Sequence, residues 1–321
     1  MFKVQIIFTI LLIGHIIAQE IDFRIDGPVK IVLEQTEKAF MKPRWSPDGT
    51  KIAFTGLKHI GLYVINSDGS AYKHLSEEPG AGYDFYWSPD SRMISTTVNT
   101  YINDRQKEIL KVFDVFSGSV QDLGSPGGQA KIGLAGFIGD NALLAIQADR
   151  LELINVFRTG QTGGFTAAAA SQKLCLSLGT DMALYNPLTG EYARIDPKPG
   201  ALYLTPVLSP DSRYIALRIY GDQMYVYDIE NGGLIPLGEG HHPRWANNSE
   251  WIVFERNTDD GHSIISADLF IADKTGQRFG QLTYTPDELE VNPDWSPVAN
   301  QIVYENLSTG AIHLIEIADI R

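Results

Sequence analysis

Polar side chains precede four of the five tryptophans of the chain by one to four residues. Two arginines, two histidines, a tyrosine and a carboxylate make up this set, which we predict to be a binding site: Arg44, Tyr86, His241, His242, Arg244 and Asp294. Guanidinium and imidazolium groups form charge-assisted hydrogen bonds with anions, roughly twice as strong as neutral ones. We therefore expect an anionic peptide terminus or a sugar acid as the ligand, provided that folding brings these residues together.

Four further polar residues occupy comparable positions and extend the candidate set: Lys42, Asp84, Tyr203 and Asn292. The alternative for every member is a structural role, because hydrogen bonds between neighbouring repeats and ordered water would use the same groups. The adjacent pair His241-His242 also suggests metal binding. The other histidines beyond residue 18 lack the spacing of zinc ligands, and we predict no metal.

Common catalytic motifs are missing from the sequence. It has no Gly-x-Ser-x-Gly nucleophile elbow, no His-Glu-x-x-His pair, no phosphate-binding loop and no EF-hand loop. The glycine-rich segment 160–164 is interpreted as a flexible loop. The acidic segment 257–261 has oxygen ligands that suit Ca²⁺, although a solvated hairpin tip explains it as well. We predict no cofactor, with structural calcium as the alternative, and expect that the protein is not an enzyme.

The charge of the chain excludes two classes of partner. Its 321 residues carry 26 basic and 39 acidic side chains, a net charge of −13, without any basic block. Nucleic-acid and polybasic membrane binding both need clustered Lys and Arg, so neither is expected. The single cysteine, Cys175, excludes an internal disulfide and a cysteine-based metal cluster. The 30 glycines and 16 prolines favour many short strands over long helices.

Residues 1–18 are interpreted as an export signal. Lys3 precedes a mostly apolar run from Val4 to Ile17, and Ala18 offers a small residue before the cut. The alternative is an uncleaved anchor, although the run is short for a bilayer span. We expect a single domain at 19–321, without a membrane span after signal removal and located in the bacterial periplasm or secreted.

A short motif recurs along the chain, with a Trp or Leu anchor followed by a turn such as Ser-Pro-Asp-Gly. Its five copies are residues 43–54, 85–95, 207–216, 243–254 and 293–304. In each copy the anchor lies seven residues before the first isoleucine of the next apolar run. This pattern favours a hairpin with a buried anchor and an aspartate that bonds backbone N–H groups of the turn. We expect buried side chains at four anchors: Trp45, Trp87, Trp245 and Trp295. We expect three aspartates to accept hydrogen bonds from the turn backbone: Asp48, Asp90 and Asp211.

Four antiparallel strands in a repeat of about 43 residues are typical of one blade of a β-propeller. Counts of second and of third strands both give seven, with second strands at 51–55, 92–98, 141–147, 172–178, 213–219, 250–256 and 300–306. We therefore predict an all-β propeller with seven four-stranded antiparallel blades. The N-terminal strand at 29–33 would close the ring by completing the last blade. Six blades are the alternative, because the third and fourth units lack the motif.

The segment from Trp45 to Gly49, the apolar strand after it, and Leu62 to Ser70 resemble the TolB-like propeller repeat. This WD-repeat-like unit is common in bacterial envelope proteins. The resemblance covers nearly all of 19–321 and is strongest in the first, second and fifth units. Two features depart from TolB itself: no α/β domain precedes the blades, and TolB propellers have six blades. The resemblance therefore implies a propeller fold and an envelope location, and it does not imply TolB's role in the Tol–Pal system.

We predict an exported module of the bacterial cell envelope that binds a protein or another ligand where the inner strands begin, at the mouth of the channel. An envelope protein is the expected partner, with a small anionic or carbohydrate ligand as the alternative. Two other functions stay open. One is a carbohydrate lyase or hydrolase, which requires a histidine beside a carboxylate in a deep pocket. The other is a structural subunit of a larger envelope complex, which requires an apolar patch on a blade edge or face.

Overall fold

The computed structural model describes residues 19–20, 24–33, 39–124, 132–140, 142–147, 150–156 and 173–318. These residues form strands and turns, and their one helical element is a 3-10 turn at Leu57–His59. Within them, no helix has the length and apolar character that spanning a membrane requires. The predicted export signal at 1–18 and the glycine-rich loop at 160–164 lie outside the described residues.

Seven antiparallel sheets follow one another along the chain, and we number them blades 1 to 7. Two short strands come first: β1 (Gln19–Glu20) and β2 (Lys30–Leu33). Blade 1 contains β3 (Phe40–Trp45), β4 (Lys51–Gly56), β5 (Ile60–Asn66) and β6 (Lys73–Pro79). Blade 2 contains β7 (Phe85–Trp87), β8 (Met93–Ile102), β9 (Arg105–Asp114) and β10 (Val120–Asp122).

The next two blades each have three described strands. Blade 3 contains β11 (Ile132–Ile138), β12 (Ala142–Gln147) and β13 (Arg150–Asn155). Blade 4 contains β14 (Leu174–Ser177), β15 (Met182–Asn186) and β16 (Glu191–Ile195). Residues 157–172, between the described strands of these two blades, lie outside the described residues.

The last three blades contain the remaining strands. Blade 5 contains β17 (Tyr203–Leu208), β18 (Tyr214–Ile219), β19 (Met224–Asp228) and β20 (Leu234–Gly238). Blade 6 contains β21 (His241–Trp245), β22 (Trp251–Asp259), β23 (Ile264–Asp273) and β24 (Arg278–Gln281). Blade 7 contains β25 (Glu290–Trp295), β26 (Gln301–Asn306) and β27 (Ala311–Glu316).

The protein is thus a seven-bladed β-propeller, as predicted, and the six-bladed alternative is wrong. Each predicted second strand coincides with a described strand, from β4 in blade 1 to β26 in blade 7. This agreement extends to blades 3 and 4, which lack the motif. Strand spacing was therefore a better guide to the blade count than the motif.

The second strand of a blade is apolar at successive positions because both of its faces are covered. Side chains alternate between the two faces of a strand. Ile52 and Phe54 join a core shared by blades 7 and 1, whereas Ala53 joins the core shared by blades 1 and 2. All three are fully buried. The packing of each blade against two neighbours therefore explains the unbroken apolar runs of the sequence.

The N-terminal strand closes the ring, as predicted. β2 pairs antiparallel with β27, with Lys30 opposite Leu314, and supplies the outer strand of blade 7. Val32 of this strand is buried in the core between blades 7 and 1, against Ile312 and Leu314. The structure also contains a pairing that the sequence did not predict: β1 runs parallel to β24 at the outer edge of blade 6.

The tryptophan anchors are buried between blades with one exception. Trp45, Trp245 and Trp295 have 6%, 6% and 4% of their surface exposed. Trp87 ends a first strand of only three residues and is partly exposed, which corrects the prediction of burial for this anchor. Its indole Nε1 still donates to the carbonyl of Arg44 in blade 1, at 3.4 Å.

The turn aspartates bond to their own turns, as the motif predicts. Asp48 Oδ1 accepts the hydroxyl of Ser46 at 2.6 Å and the N–H of Thr50 at 3.0 Å. Asp90 and Asp211 have the same arrangement. The turn of blade 1 also contacts blade 2, since the N–H of Asp48 donates to Ser91 Oγ at 2.9 Å.

Substitution of the anchors tests how much of the stability depends on inter-blade packing. Trp45→Ala should lower the free energy of unfolding by about 3–5 kcal/mol, because it leaves a large cavity in a closed core. Trp87→Ala, at the partly exposed anchor, should cost clearly less. Asp48→Ala should cost about 1 kcal/mol, the value of a typical hydrogen bond. Urea denaturation of the three variants measures the order, and an equal loss for both tryptophans would contradict it.

Candidate binding site at the channel mouth

The first strand of each blade begins at one face of the ring, which we call the upper face. In an antiparallel blade, two connections lie on this same face: the one from second to third strand, and the one from fourth strand to the next blade. The first strands of neighbouring blades contact one another around the axis, as β25 does with β3 and with β21. The Ser-Pro-Asp turns lie on the opposite, lower face.

Four of these first strands contain a β-bulge at the same place, three residues before the anchor. The bulged residues have positive φ, and each precedes a proline: Lys42 (φ 51°), Thr205 (φ 46°), His242 (φ 50°) and Asn292 (φ 53°). Such a backbone conformation costs about 1–3 kcal/mol in a residue other than glycine, so its surroundings must hold it in place. A bulge also re-aims the side chain that it carries.

A buried carboxylate holds the bulge of blade 1. Glu305 of β26 has 1% of its surface exposed. Its Oε2 accepts the backbone N–H of Lys42 at 3.2 Å and the side-chain amide of Asn292 at 2.8 Å. Because Lys42 belongs to blade 1 and Asn292 to blade 7, one carboxylate connects the bulges of the first and last blades.

The same arrangement recurs one blade earlier. Glu255 of β22, also 1% exposed, accepts the N–H of Asn292 at 2.5 Å through Oε2. Its Oε1 lies 3.0 Å from Nδ1 of His242. Each glutamate therefore contacts the bulged side chain of its own blade and the bulged backbone of the next. The two together connect blades 6, 7 and 1 at the upper face.

An ion pair crosses the same boundary between blades 6 and 7. Asp294 Oδ1 lies 3.3 Å from Nε of Arg244, and its Oδ2 accepts the backbone N–H of Trp45 in blade 1 at 2.8 Å. Arg44 does not share this carboxylate at ion-pair distance within the described residues. Its Nη1 donates instead to the carbonyls of Pro43 at 2.7 Å and Asn292 at 3.4 Å.

Burial and mutual repulsion shift the titration of the cations in this region. Burial and the nearby charge of Arg244 lower the pKa of Arg44 to about 10. Burial, with Arg44 and Arg244, also lowers the pKa of Lys42, against the opposite effect of Asp84. The three cations therefore lie close enough to disfavour one another's charge.

The carboxyl groups of the region shift in the opposite direction because desolvation disfavours their charged form. Burial raises the pKa of Asp84 and of Asp294, although Arg44 and Arg244 act against it. Burial raises the pKa of Glu305 to about 7. At neutral pH this last carboxyl group is partly protonated, which weakens its compensation of the positive charge.

The structure brings some of the predicted site residues together. Arg44, Arg244 and Asp294 lie side by side in blades 1, 6 and 7, where the ion pair of Asp294 involves Arg244. Tyr86 packs against the core between blades 2 and 3, and burial together with Asp84 raises the pKa of its hydroxyl. His242 binds Glu255, as described above.

The imidazole ring of His241 lies 6.3 Å from that of His242, measured between centroids. Burial and the charge of Arg218 in blade 5 lower the pKa of His241. Tyr203 is not at the mouth, which corrects its inclusion: it is buried in a blade core, and its hydroxyl donates to Asp196 at 2.7 Å. It lies five residues before its anchor, whereas the bulged position three residues before the anchor is Thr205.

Sequence reasoning missed the two glutamates and the bulges. The sequence does contain a pattern that marks the two glutamates. A carboxylate lies at the same point of an otherwise apolar strand in Val253-Phe254-Glu255 and in Val303-Tyr304-Glu305. Each bulged residue likewise precedes a proline two residues before the anchor. A charge in a buried strand together with a repeated X-Pro step would have indicated a hydrogen bond between blades.

The contact between His242 and Glu255 meets one of the two conditions of the enzyme alternative, a histidine beside a carboxylate. The same carboxylate holds the bulge of blade 7 through Asn292, which gives the contact a structural role. The acidic segment 257–261 forms part of a hairpin in blade 6, where Asp259 and Asp260 accept backbone N–H groups of their own turn. No cluster of three or more metal-ligating side chains occurs within the described residues.

Solved structures with this architecture are β-propellers. The β-propeller domain of Cps50 (Swd1) from Myceliophteria thermophila superposes with a TM-score of 0.64 at 12% identity, covering 91% of this chain and 100% of that one. A chain of the mitotic checkpoint complex has a TM-score of 0.60 at 13% identity, covering 99% and 100%. At such identities the likeness establishes the fold alone.

Sequence comparison gives a more local match. An uncharacterized peptidase of Bacillus subtilis, YuxL, is 35% identical over 78 residues. The match covers 22% of this chain and 12% of that protein's length. No family model matches the chain. The resemblance to the TolB-like repeat therefore stays a prediction, and the fold is what the comparisons add.

The buried Glu305 carboxyl group should make stability depend on pH. Its pKa is about 7 in the folded protein and about 4.3 in an unfolded chain. The folded state therefore holds more protons between these values, and the stabilisation is complete below about pH 4 and lost as pH rises through 7. Glu305→Gln keeps an acceptor oxygen without the charge. Its free energy of unfolding, relative to the wild type, should rise by about 1–3 kcal/mol from pH 5 to pH 8.

Urea denaturation at the two pH values measures this difference. Glu316→Gln is the matched control, since Glu316 is exposed at the end of β27 in the same blade. Its effect should be the same at both pH values. A Glu305→Gln effect that does not change with pH would contradict the assignment of a raised pKa to this carboxyl group.

Proposed function

We propose that this propeller recognises an exposed segment of a partner protein on its upper face. The observation that carries this proposal is the placement of four exposed tyrosines. Tyr83 (58% exposed), Tyr220 (68%) and Tyr284 (68%) lie in upper-face connections, and Tyr101 (74%) lies at the upper end of β8. They lie on the same face of the ring as Arg44 and Arg244, whose charges act on one another.

Tyrosine and arginine are the side chains expected at the energetic centre of a protein interface. Tyrosine offers a large, rigid contact area with a polar hydroxyl group, and arginine offers several donors in one plane. Loops held by a rigid scaffold are also the usual place for binding residues. The blades supply that scaffold here, since bulges and buried glutamates fix the inner strands beneath the loops.

The structural neighbours support the same proposal at the level of the fold. One of them is a chain of a multi-protein assembly, the mitotic checkpoint complex. Propellers offer a broad face whose loops vary independently of the blades. The comparison supports a binding role in general, and the tyrosines and arginines of the upper face supply the specific surface.

Selection of peptides on the protein tests this proposal. A random 12-residue phage-displayed library should yield binders whose affinity falls at least tenfold in Tyr220→Ala and in Tyr284→Ala, because each substitution removes an exposed aromatic contact. Fluorescence anisotropy of the labelled peptides measures the affinity. Tyr192→Ala is the matched control, since this tyrosine is 40% exposed at the lower end of blade 4. Binders that lose affinity only in the control variant would contradict the proposal.

We also propose that the protein acts outside the cytoplasm, at the bacterial cell envelope. Residues 1–18 support this location through Lys3 and the apolar run that follows it. Residues 1–30 fused to alkaline phosphatase, a reporter active only after export, should give activity in the periplasmic fraction of a bacterial host. A fusion that begins at residue 19 is the control and should stay inactive. Equal activity of the two fusions, or none in either, would contradict export.

A further inference from the structure

Two arginines occupy equivalent positions before their anchors, yet they differ in their partners. Arg244 pairs with Asp294 at 3.3 Å. Arg44 forms no ion pair with any described residue, and only its Nη1 takes part in hydrogen bonds, both with backbone carbonyls. Its Nε and Nη2 donate to none of the described residues. A guanidinium group has five N–H donors in one plane, and the remaining edge of Arg44 matches the two oxygens of a carboxylate.

A second cation lies beside Arg44 on the same strand. Lys42 is aimed by its bulge, and its Nζ donates to the carbonyl of Tyr83 at 2.9 Å. The same nitrogen lies 4.9 Å from the centroid of the Tyr83 ring. Tyr83 is largely exposed and also meets the ring of His59 edge to face at 5.2 Å. The contact joins a positive charge to an aromatic surface at the boundary of blades 1 and 2.

Acidic groups act on the positive charge of this sector, and Asp84 favours the charged forms of both Lys42 and Arg44. Asp294 is committed to Arg244 and to the N–H of Trp45. Glu305 is committed to the N–H of Lys42 and to Asn292, and burial raises its pKa to about 7. Burial lowers the pKa of Lys42 and of Arg44, and the neighbouring arginine charges lower both further. A bound anion would relieve this repulsion, and it would do so in a protein whose overall charge is −13.

We propose that Arg44 and Lys42 form a carboxylate-binding subsite for the recognised segment, with Tyr83 as the contact for its neighbouring side chain. This inference rests on the proposed function, because it names the chemical group of the segment that the upper face binds. Arg44 holds the carboxylate through its Nε and Nη2 edge, and Lys42 lies close by as a second positive charge. The carboxylate belongs either to the C-terminus of the segment or to an Asp or Glu side chain.

Three hexapeptides of otherwise identical Gly-Ser-Tyr composition distinguish these sources. The first has two internal glutamates and an amidated C-terminus, the second has glutamines and a free C-terminus, and the third has glutamines and an amidated C-terminus. Isothermal titration calorimetry should show at least tenfold tighter binding of the first or the second than of the third. The tighter of the two identifies the source. Equal binding of all three would overturn the subsite.

Variants of Arg44 connect the preference to this side chain. Arg44→Gln should reduce the carboxylate preference at least tenfold, whereas Arg44→Lys should retain part of it, because lysine keeps the charge without the planar pair of donors. Arg213→Gln is the matched control, since Arg213 lies in a lower-face turn with an exposed side chain. Thermal denaturation checks that each variant is folded. An unchanged preference in folded Arg44→Gln would overturn the assignment.

The outcomes separate this inference from the proposed function. If the third peptide binds as well as the others and loses affinity in Tyr284→Ala, the upper face recognises protein segments without a carboxylate subsite. If inorganic phosphate displaces the first and second peptides with an affinity equal to theirs, the subsite is a general anion site and the carboxylate assignment is wrong. If no peptide binds and the phage selection also yields no binder, both the proposed function and the subsite are wrong.

Discussion

Every blade of this propeller is apolar on both faces, and this constraint governs the rest of the structure. A sheet with two apolar faces must be covered on both sides, and a row of such sheets has no stable end until the last one covers the first. Ile52 and Phe54 on one face of β4, with Ala53 on the other, illustrate the requirement within a single strand. Closure of the ring satisfies it. The strand β2, which pairs with β27, completes the last blade with residues that precede the first.

The boundary between blades 7 and 1 is therefore the place where distant parts of the chain must meet. Two carboxylates of blade 7 accept backbone N–H groups of blade 1. Glu305 accepts the N–H of Lys42, and Asp294 accepts the N–H of Trp45. Glu305 thereby holds Lys42, which precedes a proline, in a backbone conformation of positive φ that is costly.

Structural and binding roles therefore belong to different side chains. Buried carboxylates stabilise the inner strands and are unavailable to a ligand, while Arg44 keeps donors that no described residue accepts. The exposed tyrosines lie in upper-face connections and at the upper end of β8, outside the blade cores. A rigid ring beneath aromatic loops is a suitable arrangement for recognition, because little conformational entropy is lost when a partner binds to a preorganised surface. The acidic overall charge makes the local cationic sector more distinct.

The sequence by itself determined the fold. A seven-residue spacing from anchor to isoleucine, together with the count of apolar runs, predicted seven blades and closure by 29–33, because strand periodicity and turn chemistry are local properties. It also indicated Arg44, Arg244 and Asp294 as neighbours, since equivalent positions in a ring converge. Only the tertiary structure decided which arginine Asp294 pairs with, why Tyr203 belongs to a core, and that Glu255 and Glu305 connect blades. Those outcomes depend on bulges and side-chain directions across blade boundaries, where one residue of register separates a core position from the mouth of the channel.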